Sequence, residues 1–325
     1  MQATKRALLI ACGLAAAAAL PLAASAQSNA WPTKPIRLLV GFPGGSTPDI
    51  AARTIAEPLA KALGQPVVVE NRAGASGNIA ADQVAKARDD HTLGAVINGN
   101  LTSAKMLNPK LSFDPAKDFS HVSLLATAPL VLVAPADKPA GAAFFAAAKA
   151  GGDRWSYGSV GVGSVGHLGM ELLKTRVDGL APVHIPFKGN PEVITSLIQG
   201  DIQLSLVPPG VAMPQVRAGK LRAVGVTSAH SPLVPDVPSL ADAGVRDFVL
   251  EVWTALVGPA NLPQAAKDRL AEVLPRIVQS AEVRQKLFDQ GWQAVGSTPA
   301  GMKARVEQEA ETMRRIISAQ GIRLE

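Results

Sequence analysis

The chain of 325 residues has one cysteine, Cys12, and one tyrosine. Cys12 lies in a leader expected to be removed, so the mature chain has no thiol, which excludes disulfides and thiol catalysis. Aromatic side chains make up 4% of the sequence, too few for the base-stacking platforms of single-strand nucleic-acid binders. Charge of one sign is also scarce. The formal net charge is +6, and discounting Lys5 and Arg6 of the leader leaves 30 basic against 26 acidic residues, a net +4 with no basic run. Without such a run there is no stripe to track phosphates, so no nucleic-acid partner is expected. The five histidines, His91, His121, His167, His184 and His230, are dispersed with no His-x₃-His pair, so no metal site is expected. Internal repeats are missing, and beyond the leader no stretch approaches the ~20 apolar residues of a spanning helix. What is present, 47% hydrophobic with 18% charged residues, belongs to a globular chain with sizeable cores. Its length suits two domains of ~100–200 residues.

The leader has three parts: basic Lys5 and Arg6, an apolar Ala/Leu-rich core from Ala7 to Ala23, and small residues Ala24-Ser25-Ala26. This is the pattern of a secretory signal peptide, residues 1–26, cleaved after Ala26. Leu9-Ile10-Ala11-Cys12 resembles a lipoprotein box, but the apolar run continues well past Cys12. Export of a soluble, cysteine-free chain of this size points to the periplasm.

Apolar β-branched runs then alternate with helical patterns. Strands are expected at Ile36–Val40, Val67–Val69, Thr92–Ile97, Trp155–Ser159, Val183–Pro186, Ile202–Leu206 and Glu251–Val257, and early helices at Pro48–Leu63 and Asn78–Arg88. That rhythm makes an α/β protein of largely parallel sheets with helices on both faces. Ser123–Val133 is long for one strand, and Leu221–Val226 forms a second strand between two such sets. Two lobes joined by two crossing strands explain this: 27–125 with 229–325 form lobe 1, and 126–228 form lobe 2, inserted into it.

Open α/β sheets bind ligands beyond the carboxyl ends of their strands, at helix N-termini. After strand 36–40 comes Gly41-Phe42-Pro43-Gly44-Gly45-Ser46-Thr47-Pro48-Asp49. Its glycines permit close backbone approach, Ser46 or Thr47 can cap, and Pro48 suits the first helical turn. Unpaired N–H groups and the positive end of the helix dipole make a site for a carboxylate there, although an ordinary capped helix would use the same residues. A second turn, Gly158 to Gly166, follows strand 155–159. Gly161, Gly163 and Gly166 have the G-x-G-x-x-G spacing of a dinucleotide site, but the next strand ends at Phe187-Lys188 without the ribose-binding acid. An exported chain also meets little nicotinamide cofactor. The turn therefore reads as a second anion cradle, facing the first. Neither Ser159 nor Ser164 sits in G-x-S-x-G, because Tyr157 and Val162 take the first glycine's place. For His167, capping or packing is the simpler role, and Glu70-Asn71-Arg72 reads as a structural ion pair or turn at a strand end.

Trp31-Pro32-Thr33-Lys34-Pro35-Ile36-Arg37, the Phe42–Asp49 turn with Arg53, and Leu63-Gly64-Gln65-Pro66-Val67-Val68-Val69-Glu70-Asn71-Arg72 resemble the substrate-binding proteins of tripartite tricarboxylate transporters, the Bug receptors. Gly74–Asn78, Phe113-Asp114-Pro115, Gly163-Ser164 with His167-Leu168, Ile185–Gly189, Ala218–Ala223, Val237–Leu240 and Trp253 continue the resemblance through the mature chain. It implies a two-lobed periplasmic-binding-protein fold closing over a small carboxylate, no cofactor or metal, no catalysis, membrane transporter subunits as partners, and a monomer. Carried over by position, it implies Phe42, Gly44, Gly45, Ser46, Thr47, Asp49, Asn98 and Asn100 as substrate-binding residues of the first lobe. Ser159, Ser164, Val165, Gly166, His167, Phe187 and Lys188 are those of the second. Where the family has Gly-Gly-x-Thr-Asp, this chain has Gly44-Gly45-Ser46-Thr47-Pro48-Asp49. Val165 and Gly166 replace common hydroxyls, Leu206-Val207-Pro208-Pro209 replaces an aromatic and an acid, and Asp89-Asp90-His91-Thr92 stands for Pro-Asp-Gly-Tyr-Thr. These departures favour a more apolar acid over the family's most polar ligands. Two rival classes stay open on sequence alone: an exported serine hydrolase using Ser164 or Ser159, and a ligand sensor for a membrane signalling protein.

Overall fold

The computed structural model describes residues 31–322. The signal peptide, its cleavage site and Cys12 lie outside the described residues. The first sheet contains β1 (Ile36–Val40), β2 (Val67–Asn71), β3 (Thr92–Ile97), β4 (Phe119–Pro129), β10 (Glu251–Pro259) and β11 (Gln293–Ala294). Its order is β11-β4-β10-β3-β1-β2. β1, β2 and β3 run parallel, and β10 lies antiparallel between β3 and β4. All six residues of β3 are buried, as expected of a strand covered on both faces.

The second sheet has β5 (Val131–Pro135), β6 (Ser156–Ser159), β7 (Val183–Pro186), β8 (Leu204–Val207) and β9 (Leu221–Val226), in the order β7-β6-β8-β5-β9. β6 is parallel to both β7 and β8, while β5 is antiparallel to β8 and β9. The two sheets make this an α/β protein of two lobes.

Two helix starts bear on function. α1 (Thr47–Leu63) follows β1, carries Pro48 in its first turn, and ends on Gly64 in the left-handed conformation. Further helices of the first lobe are α2 (Asn78–Ala85), α3 (Asn98–Thr102) and α4 (Ala104–Leu107). α2 stops at Ala85, three residues before the expected Arg88, and the Asp89-Asp90 bend follows after Arg88. After β5 come α5 (Gly141–Gly151), α6 (Val165–Arg176), α7 (Asn190–Gln199) and α8 (Pro209–Arg217). The chain closes with α9 (Gln264–Val278), α10 (Ala281–Asp289) and α11 (Pro299–Gln320). α11 packs on β4 and α3 of the first lobe and on α6 of the second.

Ser123–Val133, long for one strand, lies across two. β4 ends at Pro129 and β5 starts at Val131, so the chain changes sheets at Leu130. Pro129 has no N–H to continue a ladder, which lets the strand break there. After β9 and Thr227 the chain stays with the second sheet, Ser239 pairing with Val226 and the Leu240 N–H donating to the Val226 carbonyl. It returns to the first sheet at Leu250, so residues 228–249 pack with the second lobe and not with the first as expected. The Thr227 N–H donates to the Leu130 carbonyl and its hydroxyl accepts from the Leu130 N–H, both at 2.9 Å. The same hydroxyl donates to the Leu250 carbonyl at 2.6 Å, and the Leu250 N–H donates to the Thr227 carbonyl at 3.2 Å. Leu130, Thr227 and Leu250, with the start of β10, form a three-stranded hinge. Thr227 is fully buried, so its hydroxyl satisfies backbone groups that would otherwise be stranded without water.

Candidate functional site

Between the lobes lies a cavity with about 40 Å³ open to the centres of water molecules. Lobe 1 contributes Phe42, Ser46, Thr47, Pro48, Ile97 and Val252; lobe 2 contributes Val160, Ser164, Val165, Gly166, Asn190, Leu206 and Pro208; Leu130 of the hinge also reaches it. The starts of α1 and α6 thus face one another across a shared cleft. None of the lining residues carries a charge.

At α1, Gly45 adopts a φ of 76°, which glycine takes without strain, and the turn is pinned by the Ser46 N–H donating to the Pro43 carbonyl at 3.1 Å. Ser46 occupies the N-cap position, but its side chain makes no capping bond. Its hydroxyl oxygen is buried and has no hydrogen-bond partner, with Ser46 as a whole only 1% exposed. A buried hydroxyl without a partner is costly unless something else occupies it. Thr47 Oγ1 accepts from Asn190 Nδ2 of the other lobe at 2.8 Å, leaving its own O–H to donate. At α6, the Ser164 hydroxyl caps the helix by accepting from the His167 N–H and donates to the Gly161 carbonyl at 2.7 Å. The proton of Ser164 is therefore spent, whereas the N–H groups of Val165 and Gly166, in the first helical turn, have no intrahelical acceptor.

The expected site residues separate into those that line the cavity and those that support it. Phe42, Ser46, Thr47, Ser164, Val165 and Gly166 line it. Gly44 and Gly45 are exposed at the tip of the turn. Asp49 is buried beneath the turn, accepting from the Gly45 N–H at 2.9 Å, from Asn71 Nδ2 at 2.8 Å and from Arg53 Nε at 3.0 Å. Burial alone would raise its carboxyl, but the bonds from Arg53, Asn71 and Gly45 outweigh that and hold it below the usual range. Asp49 positions the turn. Its partner Asn71 belongs to the Glu70-Asn71-Arg72 run, whose Glu70 is held down to about 2 chiefly by the Arg37 guanidinium at 2.7 Å.

Asn98 donates to Glu309 Oε1 at 2.6 Å and ties α3 to α11, and Trp253 Nε1 donates to the other oxygen of Glu309 at 2.6 Å. Asn100 accepts from the Ile97 N–H and donates to the Ser76 carbonyl, fixing the loop before α2. Phe187 and Lys188 lie outside, on a groove of about 540 Å³ at the cleft rim with Ser76, Val162 and Glu192. His167 Nδ1 accepts from the Gly163 N–H at 3.2 Å, which braces the second turn from behind. Its ring stands 4.3 Å from that of His184, which stacks on Tyr157 at 4.8 Å. Burial pushes both histidines down to about 4, with His167 adding to the effect on His184.

Ser159 Oγ is 2.7 Å from His184 Nε2, the spacing of a nucleophile and its base. The geometry does not extend to hydrolysis. Ser159 is buried and away from the inter-lobe cavity, its hydroxyl is also engaged with the Gly161 backbone, and an imidazole held near 4 is a weak base.

Cavity residues outside the expected set include Asn190, Leu130, Leu206 and Val252. Asn190 could have been found as a polar residue ahead of Pro191 at a helix start. The three apolar residues carry no signal that separates a cavity wall from an ordinary core.

Among the described residues, three hydrogen bonds close the lobes over the cavity: Asn190 to Thr47, the Ser76 hydroxyl to the Val162 carbonyl at 3.1 Å, and the Ser103 hydroxyl to the Gly163 carbonyl at 2.7 Å. At the last contact the chains touch through Gly99, where a methyl group would stand 2.9 Å from the Gly163 oxygen.

A family model described as the tripartite tricarboxylate transporter family receptor matches residues 51–322. The chain belongs to this family. It is 31% identical to Protein BugT of Bordetella pertussis over 308 residues, covering 93% of this chain and 94% of BugT. Among solved structures it is similar to MatC from Rhodopseudomonas palustris with bound malate, with a TM-score of 0.83, 30% identity, and coverage of 88% of this chain and all of that one. It is likewise similar to R. palustris Rpa4515 with adipate, with a TM-score of 0.86, 30% identity and coverage of 90% and 98% of the two chains. As a receptor of this family, it has the two-lobed fold of solute-binding proteins used in transport.

Proposed function

We propose that the protein is a periplasmic receptor, released by cleavage after Ala26, that binds a small carboxylate between its lobes and delivers it to the membrane subunits of a tripartite transporter without chemical change. The observation that carries the reading is the Ser46 hydroxyl, buried and unpartnered in a cavity between two helix N-termini. The two oxygens of a carboxylate there would share the donors offered by Ser46, by the Thr47 hydroxyl and N–H, and by the Val165 and Gly166 N–H groups. Those donors are fixed by the fold before the ligand arrives, and both helix dipoles favour an anion. The malate and adipate held by relatives MatC and Rpa4515 support an acid as ligand.

Closure follows from differential contact. In an open form each lobe offers half of the donor set, and only apposition of the two lobes completes it, so a ligand shifts the balance toward the closed form. A dissociation constant near 1 μM, about −8 kcal/mol, suits a receptor that must release its cargo. Isothermal titration against mono- and dicarboxylates tests the reading. It predicts binding without turnover and a ligand-dependent contraction in small-angle scattering, and it fails if no acid gives heat, thermal shift or contraction.

A further inference from the structure

We infer that the ligand is a monocarboxylate with a short aliphatic or branched tail, taken in preference to the dicarboxylates held by relatives. The inference rests on the carboxylate-receptor reading and goes beyond it in naming the class of acid.

Charge balance comes first. The cavity has no charged lining residue, so the anion's only compensation is fixed dipoles and N–H or O–H donors. A helix N-terminus is equivalent to roughly half an elementary charge. α1 and α6, of 17 and 12 residues, are both long enough to deliver it, and together they offer about one positive charge. That matches one carboxylate. A second would sit in the same closed space with no cation, and an unpaired buried charge is disfavoured.

The chemistry of the walls comes second. Donors come only from the two helix starts and from Asn190, one of whose two Nδ2 protons goes to Thr47. The strand ends and hinge supply Ile97, Leu130, Leu206 and Val252, with Val160, Pro208 and Phe42 completing an apolar enclosure. A distal carboxylate or hydroxyl would meet hydrocarbon there, whereas an alkyl tail would be removed from water at no polar cost.

Size comes third. About 40 Å³ is open to the centres of water molecules, a small closed space. It fits a short acid and not an extended chain such as adipate.

The test is calorimetric titration of the full mature protein, dialysed free of small molecules, with isobutyrate, isovalerate, succinate, malate and adipate, and with isobutyramide as an uncharged isostere. The expected result is that a monocarboxylate binds at least tenfold more tightly than every dicarboxylate and than the amide. A dicarboxylate binding as tightly as the best monocarboxylate would overturn the inference while leaving the carboxylate-receptor reading intact. If the amide binds as well as its acid, or if nothing in the panel binds, both fall together.

Discussion

Gly99→Ala separates closure from ligand contact, because Gly99 does not line the cavity. The added methyl group would stand 2.9 Å from the Gly163 carbonyl oxygen across the cleft and 3.6 Å from Ser103 Oγ. A contact that short forces the lobes apart there, an overpacking cost of about 1–3 kcal/mol. Parting them stretches the 2.7 Å bond from Ser103 Oγ to Gly163, worth about 0.5–1.5 kcal/mol. The open form avoids both costs, and a helical Gly→Ala change stabilises either form against unfolding by up to about 1 kcal/mol. Closure therefore becomes less favourable by roughly 2–4 kcal/mol, and because ligand affinity depends on closure, Kd rises about 30- to 1,000-fold at 1.4 kcal/mol per tenfold. Thermal unfolding of the ligand-free variant should match or slightly exceed the parent. Calorimetry with the carboxylate the parent binds measures the first quantity, and scanning calorimetry the second. A Kd within twofold of the parent, with undiminished ligand-dependent contraction in scattering, would refute the coupling of this contact to binding.

Ser46→Ala removes a buried hydroxyl that bonds nothing in the protein, so ligand-free stability should hold or rise while affinity for an acid falls about 10- to 100-fold, equal to the ~1.5–3 kcal/mol of a hydrogen bond to a charge; equal loss in both would mean Ser46 is structural. Asp49→Asn should loosen the first turn and lower stability at pH 7 by about 1–2 kcal/mol in urea unfolding. Because the Asp49 carboxyl is held below its unfolded range, its contribution is present above about pH 4 and lost as pH falls through the folded value, so parent and variant should converge once that value is passed. Burial holds His167 and His184 down to about 4, whereas unfolded histidines titrate near 6.5, so on acidification the unfolded chain takes up protons the folded chain refuses. Stability should accordingly drop as pH falls from about 6.5 to about 4, and His184→Gln should flatten that slope; a urea midpoint constant over the range would contradict the burial argument. Thr227→Val keeps the shape of the hinge but strands the Leu130 N–H and Leu250 carbonyl, and should lower stability by about 2–4 kcal/mol in urea unfolding; a change below 0.5 kcal/mol would show that these groups find other partners.

Much of the architecture was legible because local pattern and tertiary role coincide. Ile36–Val40, Thr92–Ile97 and Val183–Pro186 are strands over the expected residues, and the helix starts at Thr47 and Val165 follow their glycine turns. The break at Leu130 was not legible, since SLLATAPLVLV is continuously apolar and its change of sheet is set by pairing with β10 on one side and with β8 and β9 on the other. For the candidate site, the turns gave Phe42, Ser46, Thr47, Ser164, Val165 and Gly166 because helix-start chemistry is local. Asp49, Asn98 and Asn100 look like ligand-facing polar groups in one dimension, but each is committed to a partner that only folding brings near: Asn71, Glu309 and Ser76. Whether a polar side chain is spent or spare is a property of its neighbours, and a linear reading cannot see it.

The stitching of Leu130, Thr227 and Leu250 has a consequence for how receptor behaviour can be adjusted. Bonds on the axis of a swinging door keep nearly the same length whether it stands ajar or shut, so they steer the motion while hardly biasing it. The bias resides where the leaves meet, at Ser76, Ser103 and Asn190. Single substitutions at Ser76 or Ser103, which do not line the cavity, would retune how long the cargo stays aboard and leave the choice of cargo to the walls within, to which Asn190 belongs.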